Sequence, residues 1–181
     1  MKKISIKPSF AAYFAAVFIL LGKRAVIYAL PIAVHEISHI VAMLLCGYKL
    51  KRITAEFCGL TIDADGVLDY RSQAVISLAG PLSSIAFAVM FQRLLPECAL
   101  VSLMLGLLNF LPLSSLDGYG VLSAVLYKNM SFESASASMR IADIVSIFIL
   151  TAFSLAAIII TRCNISALVF TSYIFFMRFL R

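Results

Sequence analysis

Two long runs without a charged residue, at positions 74–90 and 144–161, constrain this chain more than any other feature of its sequence. Their lengths approach the roughly 20 apolar residues that a helix needs to cross a bilayer. In lipid every backbone polar group must be bonded internally, which favours helices for such runs. Overall, 62% of the 181 residues are hydrophobic and 13% are charged, against about 45–50% and about 25% in soluble domains. We therefore predict an all-α polytopic membrane protein.

Six apolar segments are candidate membrane spans: Pro8–Gly22, Ala25–Cys46, Gln73–Leu95, Ala99–Leu113, Ile141–Thr161 and Ile165–Leu180. The first, fourth and last are short, and the fourth runs into Pro112 and a polar break, so five and six transmembrane helices are both open. The residues left over suffice for loops and one small insert, but not for a separate soluble domain. We predict a single membrane-embedded domain over residues 1–181.

The insert is the non-apolar stretch at about residues 47–72. Its first part, residues 48–63, alternates polar and apolar residues around Gly59. This alternation predicts a small β-ribbon of two or three strands at the membrane surface, after the second helix. An irregular loop is the alternative, because short alternating runs are weak evidence for strands.

The net charge of +6 does not indicate nucleic-acid binding, because the basic residues stand at the ends of apolar runs, where they meet lipid headgroups. With the N-terminus inside, eleven of the 15 Lys and Arg residues fall on one side of the membrane. By the positive-inside rule, both termini and the insert are predicted to face the cytoplasm, in a multi-pass protein of the cell membrane.

The second span contains His35-Glu36-Ile37-Ser38-His39. In a helix, residues i and i+4 lie on one face about 6 Å apart, so both imidazoles can reach one zinc ion at about 2.0–2.1 Å. The same pattern occurs by chance on soluble helices. Here it lies inside an apolar span, where a charged group costs about 2.5–3.5 kcal/mol, and the chain has no other histidine. We therefore predict a metal site, with Glu36 placed to hold the activated water.

A catalytic zinc ion usually has three protein ligands and a water. Since the four cysteines contain no CxxC pair, the third ligand is expected to be a carboxylate. Asp117 is the preferred candidate, because it follows a broken apolar segment and falls in the same half of the membrane as His39. A simple turn at Asp117-Gly118 is the alternative. Asp143 is the second candidate ligand, although we expect it to be a charge at the start of a helix.

Three motifs follow one another along the chain: HExxH in the second span, the Gly-Pro segment 79–84 in the third, and Asn-x-x-Pro-x4-Asp-Gly from Asn109 to Gly118. Together they resemble the site-2 proteases, a family of intramembrane zinc metalloproteases. The segment 47–53 is similar to the branch that includes the stage IV sporulation protease FB. The resemblance covers nearly the whole chain.

The resemblance implies one Zn²⁺ per chain, held by His35, His39 and Asp117, with Glu36 as the catalytic base. The implied reaction begins when Glu36 takes a proton from zinc-activated water, which then attacks a peptide carbonyl. The bond would lie in or near the transmembrane segment of a membrane-tethered regulatory protein, such as a pro-sigma or anti-sigma factor. The edge of the ribbon is expected to hold the unwound substrate as an added strand.

Supporting or substrate-binding roles are implied for Asn109 and Ser84, although the family commonly has Asn at the second of these positions. A membrane protein that inhibits or regulates the enzyme is a further expected partner. Two other classes stay open: an ion or proton transporter, which also places ionisable residues in the membrane, and a zinc-binding homologue without activity, which would not need Glu36.

Overall fold

The computed structural model describes residues 3–6, 19, 22, 25–56 and 59–161. Its elements are, in chain order, β1 (Lys3–Ile6), α1 (Ala25–Leu45), β2 (Leu50–Glu56), β3 (Gly59–Ala64), α2 (Tyr70–Phe91), α3 (Pro96–Asn109), α4 (Asp117–Asn129) and α5 (Phe132–Thr161). Within these residues, α1, α2 and α5 are long and apolar enough to cross a membrane. The predicted all-α membrane fold with a small β insert is confirmed. The predicted spans at 8–22 and 165–180 lie, apart from Ile19 and Gly22, outside the described residues.

Helix α2 is the central helix and packs against α1, α3 and α4. Its buried positions are mostly small, including Gly80, Ser84 and Ala88. Small residues let helices approach closely in lipid, where apolar burial against tails gives little driving force. A Cβ on Gly106 of α3 would lie 2.9 Å from the Pro81 carbonyl oxygen. Close packing therefore brings α1, α3 and α4 near to one another around α2.

Helix α1 continues through Pro31, which has no N–H and leaves the carbonyl four residues earlier, that of Ile27, without its helical partner. The Sγ of Cys98, in the first turn of α3, donates a hydrogen bond to that oxygen at 3.4 Å. The contact satisfies this carbonyl and ties α1 to α3.

The sheet has the strand order β1-β2-β3. Strands β2 and β3 pair antiparallel, from Leu50 opposite Ala64 to Glu56 opposite Gly59. Strand β1 pairs with β2 in parallel, with Lys3 opposite Arg52. The predicted ribbon is therefore confirmed, but its third strand comes from the N-terminus and not from the 47–72 insert. A strand of four residues has too little alternation to be recognised in the sequence.

Helix α2 begins inside the predicted insert, at Tyr70. The Oδ1 atom of Asp69 accepts a hydrogen bond from the Ser72 N–H at 3.2 Å, which caps the helix. The Tyr48 hydroxyl donates to the same oxygen at 3.1 Å. This contact joins the residues that follow α1 to the start of α2 and closes the base of the ribbon.

The segment predicted as the fourth span is shorter than a membrane crossing. Helix α3 has 14 residues, which is about 21 Å of helix, against a hydrocarbon core of about 30 Å. It ends at Asn109, and Phe110 and Leu111 donate to carbonyls three residues earlier before Pro112 stops the helix. The loop of residues 110–116 then leads into α4, a helix that the sequence did not predict.

Helix α5 begins at Phe132, nine residues before the predicted Ile141. Ser131 precedes it and accepts a hydrogen bond from the Ser134 N–H at 3.4 Å. The first turns are polar, so hydropathy alone places the boundary too late. Glu133 lies in the first turn, where a negative charge is favourable.

Candidate metal centre

Three predicted ligands from two distant parts of the chain meet in the helical interior. The Oδ2 atom of Asp117, in the first turn of α4, lies 3.0 Å from His35 Nε2 and 3.3 Å from His39 Nε2. The two Nε2 atoms are 3.3 Å apart. Both histidines are buried, and Asp117 is half-buried. Within the described residues, these three side chains form the group able to hold a metal ion.

The spacing of these atoms fits a tetrahedral zinc site. Two ligands at about 2.0–2.1 Å from a tetrahedral ion lie about 3.3 Å from each other, as calculated from the tetrahedral angle. The three distances between the ligand atoms are 3.0, 3.3 and 3.3 Å. Two imidazoles and one carboxylate are also a common catalytic zinc set. The residues therefore fit the metal.

In each histidine, the contact made by Nδ1 leaves Nε2 as the ring nitrogen that faces the centre. His39 Nδ1 lies 2.7 Å from the Ile76 carbonyl oxygen, which can only accept, so Nδ1 carries a proton. In the neutral ring this leaves the lone pair at Nε2. His35 Nδ1 lies 2.9 Å from Ser84 Oγ. With His35 in the same tautomer, two ring lone pairs and a carboxylate converge with no proton between them. A cation satisfies this arrangement, and such outer contacts commonly orient metal-bound histidines.

Gly80 forms the α2 wall of the centre. A Cβ there would overlap His39 Nε2, and it would lie 2.6 Å from His39 Cε1 and 2.8 Å from His35 Cε1. No side chain larger than hydrogen fits beside the two rings. The sequence singled out this Gly-Pro segment as a motif, but it gave no indication that Gly80 contacts the histidines.

Asp117 reaches the histidines because α4 starts against the preceding loop. A Cβ on Gly118 would overlap the Phe110 carbonyl oxygen and lie 2.5 Å from that of Leu111. The absence of a side chain at Gly118 therefore lets the first turn of α4 fold back tightly onto the end of α3. The Asp117-Gly118 turn is the start of a helix that presents the carboxylate.

Helix α4 is also held against α2 by polar contacts outside the centre. The Gln73 side-chain amide donates to Ser123 Oγ at 2.9 Å and to the Gly120 carbonyl at 3.3 Å. A Cβ on Gly120 would overlap Ser77 Oγ. These contacts fix the position of α4 relative to α2. Helix α2 also carries Ile76 and Ser84, which contact the two histidines.

The supporting residues suggested by the sequence have different surroundings. Glu36 is half-buried beside His35 on α1. Ser84 has 0% exposure and contacts His35, so it supports a ligand and offers no open surface to a substrate. The Asn109 amide donates to the Leu105 carbonyl of its own helix at 3.0 Å.

Asp143, the second candidate ligand, is not part of the centre. It lies well inside α5 and not at its start, and it is buried. Its Oδ1 atom accepts a hydrogen bond from the Ser114 backbone N–H at 3.0 Å. The expectation of a helix-start charge is wrong, because α5 begins eleven residues before Asp143. The sequence could not indicate this role, since any residue can supply a backbone N–H.

Comparisons with known proteins agree with this geometry. Residues 10–159 match the model of the Peptidase M50B-like family. The chain belongs to the Peptidase M50B-like family. Among solved structures it is similar to the site-2 protease from Methanocaldococcus jannaschii, with a TM-score of 0.69 and 19% identity over 97% of this chain and 88% of that chain. No curated protein matches the sequence.

The family match and the shared fold confirm the predicted relationship to the site-2 proteases. A member of the M50B-like family with three long apolar helices is a membrane protein of the peptidase class. Its candidate metal centre lies where α1, α2 and α4 meet, with His35 and His39 supplied by α1 and Asp117 by α4.

Proposed function

We propose that the chain is an intramembrane zinc metalloendopeptidase, with one zinc ion held by His35, His39 and Asp117 and with Glu36 as the catalytic base. The observation that carries the proposal is the convergence of three metal-binding atoms, at 3.0–3.3 Å from one another, inside an apolar bundle. Ionisable groups are costly in a membrane and are retained there mainly for function.

The chemistry that zinc supplies in such a site is polarisation of the peptide carbonyl and a lowering of the pKa of water to about 7. Glu36 directly follows His35 on α1, so its carboxylate would stand beside a water bound at the centre. It accepts the proton from the attacking water and passes it to the leaving amine. Ser84 and the Ile76 carbonyl keep both imidazoles turned toward the centre.

The substrate must be locally unwound, since a peptide bond inside an intact helix is shielded. The ribbon offers a surface for an extended segment. Strand β2 lies between β1 and β3, so among the described strands β1 and β3 are the two edges of the sheet, and β3 is the longer edge, with 6 residues against 4. We therefore propose that the substrate adds as a strand to residues 59–64, and that helix-breaking residues near the cleaved bond increase the cleavage rate.

The proposed substrate is a membrane-tethered regulatory protein cut in or near its transmembrane segment. The similarity of residues 47–53 to the sporulation protease branch supports a pro-sigma or anti-sigma factor and a membrane-protein regulator as partners. The excess of Lys and Arg on one side supports a multi-pass arrangement with both termini in the cytoplasm.

The test is cleavage by the purified full-length protein in liposomes that contain candidate membrane-anchored regulators. Wild-type protein is expected to bind one zinc per chain and to release a shortened product. Glu36→Gln is expected to keep the zinc and lose cleavage, because the amide cannot accept the proton. Glu97→Gln, at an exposed position of α3, is the matched control and should cleave normally.

Each contrary outcome indicates a different class of protein. Zinc binding without cleavage of any regulator by the wild type would indicate a binding homologue. Ion flux across the liposomes that Glu36→Gln abolishes, without any cleavage, would indicate a transporter. Cleavage by Glu36→Gln at the wild-type rate would refute the assigned base.

A further inference from the structure

The loop that presents Asp117 is anchored to α5, a helix that supplies no metal ligand. Asp143 lies on α5 with 7% exposure, and its Oδ1 atom accepts the Ser114 N–H at 3.0 Å. Ser114 is three residues before Asp117. A buried carboxylate in an apolar helix is costly unless it is hydrogen-bonded, so its placement opposite this loop calls for a role there.

Apolar packing holds the same loop on the same helix. The side chain of Leu113, adjacent to Ser114, is 1% exposed and packs with the buried Leu150 of α5. Ile147 of α5 and Leu111 and Leu116 of the loop surround this pair. One polar and one apolar contact, at neighbouring loop residues, therefore fix the loop to α5.

Two backbone hydrogen bonds link the anchored part of the loop to the start of α4, which carries Asp117. The Leu116 N–H donates to the Leu113 carbonyl at 2.8 Å, and the Tyr119 N–H donates to the Leu116 carbonyl at 3.2 Å. Leu116 therefore connects Leu113, which is anchored to α5, with the first turn of α4. A displacement of residues 113 and 114 would therefore move the Asp117 carboxylate.

We propose that Asp143 is a positioning residue for the metal centre: its hydrogen bond to the Ser114 backbone holds the loop that places the Asp117 carboxylate against His35 and His39. This inference rests on the proposed zinc site. Asp143 acts through the loop and touches neither the ligands nor the substrate. Metal ligands need to be held within a fraction of an ångström, and losing an outer support commonly weakens metal binding by about 10–100-fold.

The experiment compares zinc affinity, by competition with a chelator, and the absorption spectrum of the cobalt-substituted protein, using the full-length chain in detergent. Asp143→Leu removes the acceptor and is expected to weaken zinc binding by about 10–100-fold and to alter the cobalt spectrum. Asp143→Asn keeps an oxygen acceptor and is expected to stay within a few-fold of wild type, with the wild-type spectrum. Ser146→Ala is the matched control, because Ser146 is buried on the same helix and its hydroxyl donates to the Ala142 carbonyl of that helix.

A second variant tests the same bond from its other end, in case Asp143→Leu does not fold. An amide-to-ester replacement at Ser114 removes the N–H and leaves α5 unchanged. It also makes the Leu113 carbonyl a weaker acceptor for the Leu116 N–H, so it should weaken zinc binding at least as much as Asp143→Leu. Wild-type affinity and spectrum in the ester protein, or in a folded Asp143→Leu protein, would overturn the proposal. So would an Asp143→Asn protein as impaired as Asp143→Leu. If the wild-type protein itself bound no zinc, the proposed function would fail instead.

Discussion

The two sides of the candidate metal centre are built in different ways. His35 and His39 lie one turn apart on α1, so helix geometry alone brings them together. Asp117 is 82 residues from His35 and depends on the loop at residues 110–116, on the start of α4 and on contacts with α5. One side is therefore encoded locally, and the other depends on the packing of several helices. Disturbing each side should have different consequences.

The largest effect is expected from crowding the histidine side at Gly80. Gly80→Ala adds a Cβ that overlaps His39 Nε2 and presses on His35, so both rings must move from their positions. We expect the purified protein to contain almost no zinc and to show no cleavage. Metal analysis of the protein in detergent measures this directly.

The matched control on the same helix is Leu82→Ala, two residues away on an exposed surface. This protein should keep one zinc per chain. If Gly80→Ala also kept its zinc, the two histidine rings could shift to make room for the added Cβ. The histidine side would then be no more rigid than the Asp117 side.

A smaller loss is expected when a single support of the histidine side is removed. Ser84→Ala deletes the hydroxyl at 2.9 Å from His35 Nδ1 and should weaken zinc binding by about 10–100-fold, as is usual for outer partners of metal ligands. Ser83→Ala is the control, because the Ser83 hydroxyl donates to the Gly80 carbonyl of its own helix. Equal zinc affinity in the two proteins would contradict an orienting role for Ser84.

On the Asp117 side, Leu113→Ala should loosen the loop and leave the histidine pair in place. Removing a fully buried leucine side chain lowers the free energy of unfolding by about 2–5 kcal/mol. We expect a several-fold loss of zinc affinity, smaller than that of Ser84→Ala, because the Asp143 hydrogen bond remains. Unfolding and chelator titrations measure the two effects, with the exposed Leu100→Ala as control. A zinc loss as complete as that of Gly80→Ala would show that the two sides do not differ.

The smallest effect is expected at Asp69, which lies outside both sides of the centre. Hydrogen bonds from Ser72 and from Tyr48 hold the pKa of this carboxyl below its usual value. A lowered pKa in the folded state contributes stability at neutral pH that is lost as the pH falls through that pKa. The melting temperature of Asp69→Asn should thus be slightly lower than that of wild type at neutral pH, and the difference should vanish in strong acid. A difference unchanged by pH would exclude the charged cap as its cause, and the zinc content of Asp69→Asn should equal that of wild type at each pH.

The sequence was most informative where the cause is local. The spacing of His35 and His39 follows from one turn of helix, and the apolar runs identified α1, α2 and most of α5. Asp117 was selected by elimination and by the order of the motifs. The structure brings it to the histidines through α4, a helix whose apolar pattern is too weak to read from the sequence.

Contacts made through the backbone could not be anticipated. Strand β1 is recognisable only from its pairing with β2, since four residues carry no clear period. Asp143 binds a main-chain N–H, and Gly80 acts by having no side chain. None of these roles has a residue pattern of its own, because each depends on which segment packs opposite.

The contact between Cys98 and the Ile27 carbonyl has a practical consequence for attaching spectroscopic probes. A labelling strategy would normally begin by replacing native thiols, for example with alanine. Here alanine would remove the donor to the carbonyl that Pro31 leaves without a helical partner. Serine supplies a hydroxyl at the same position, so a Cys98→Ser background is the one expected to retain the native helix pair for such measurements.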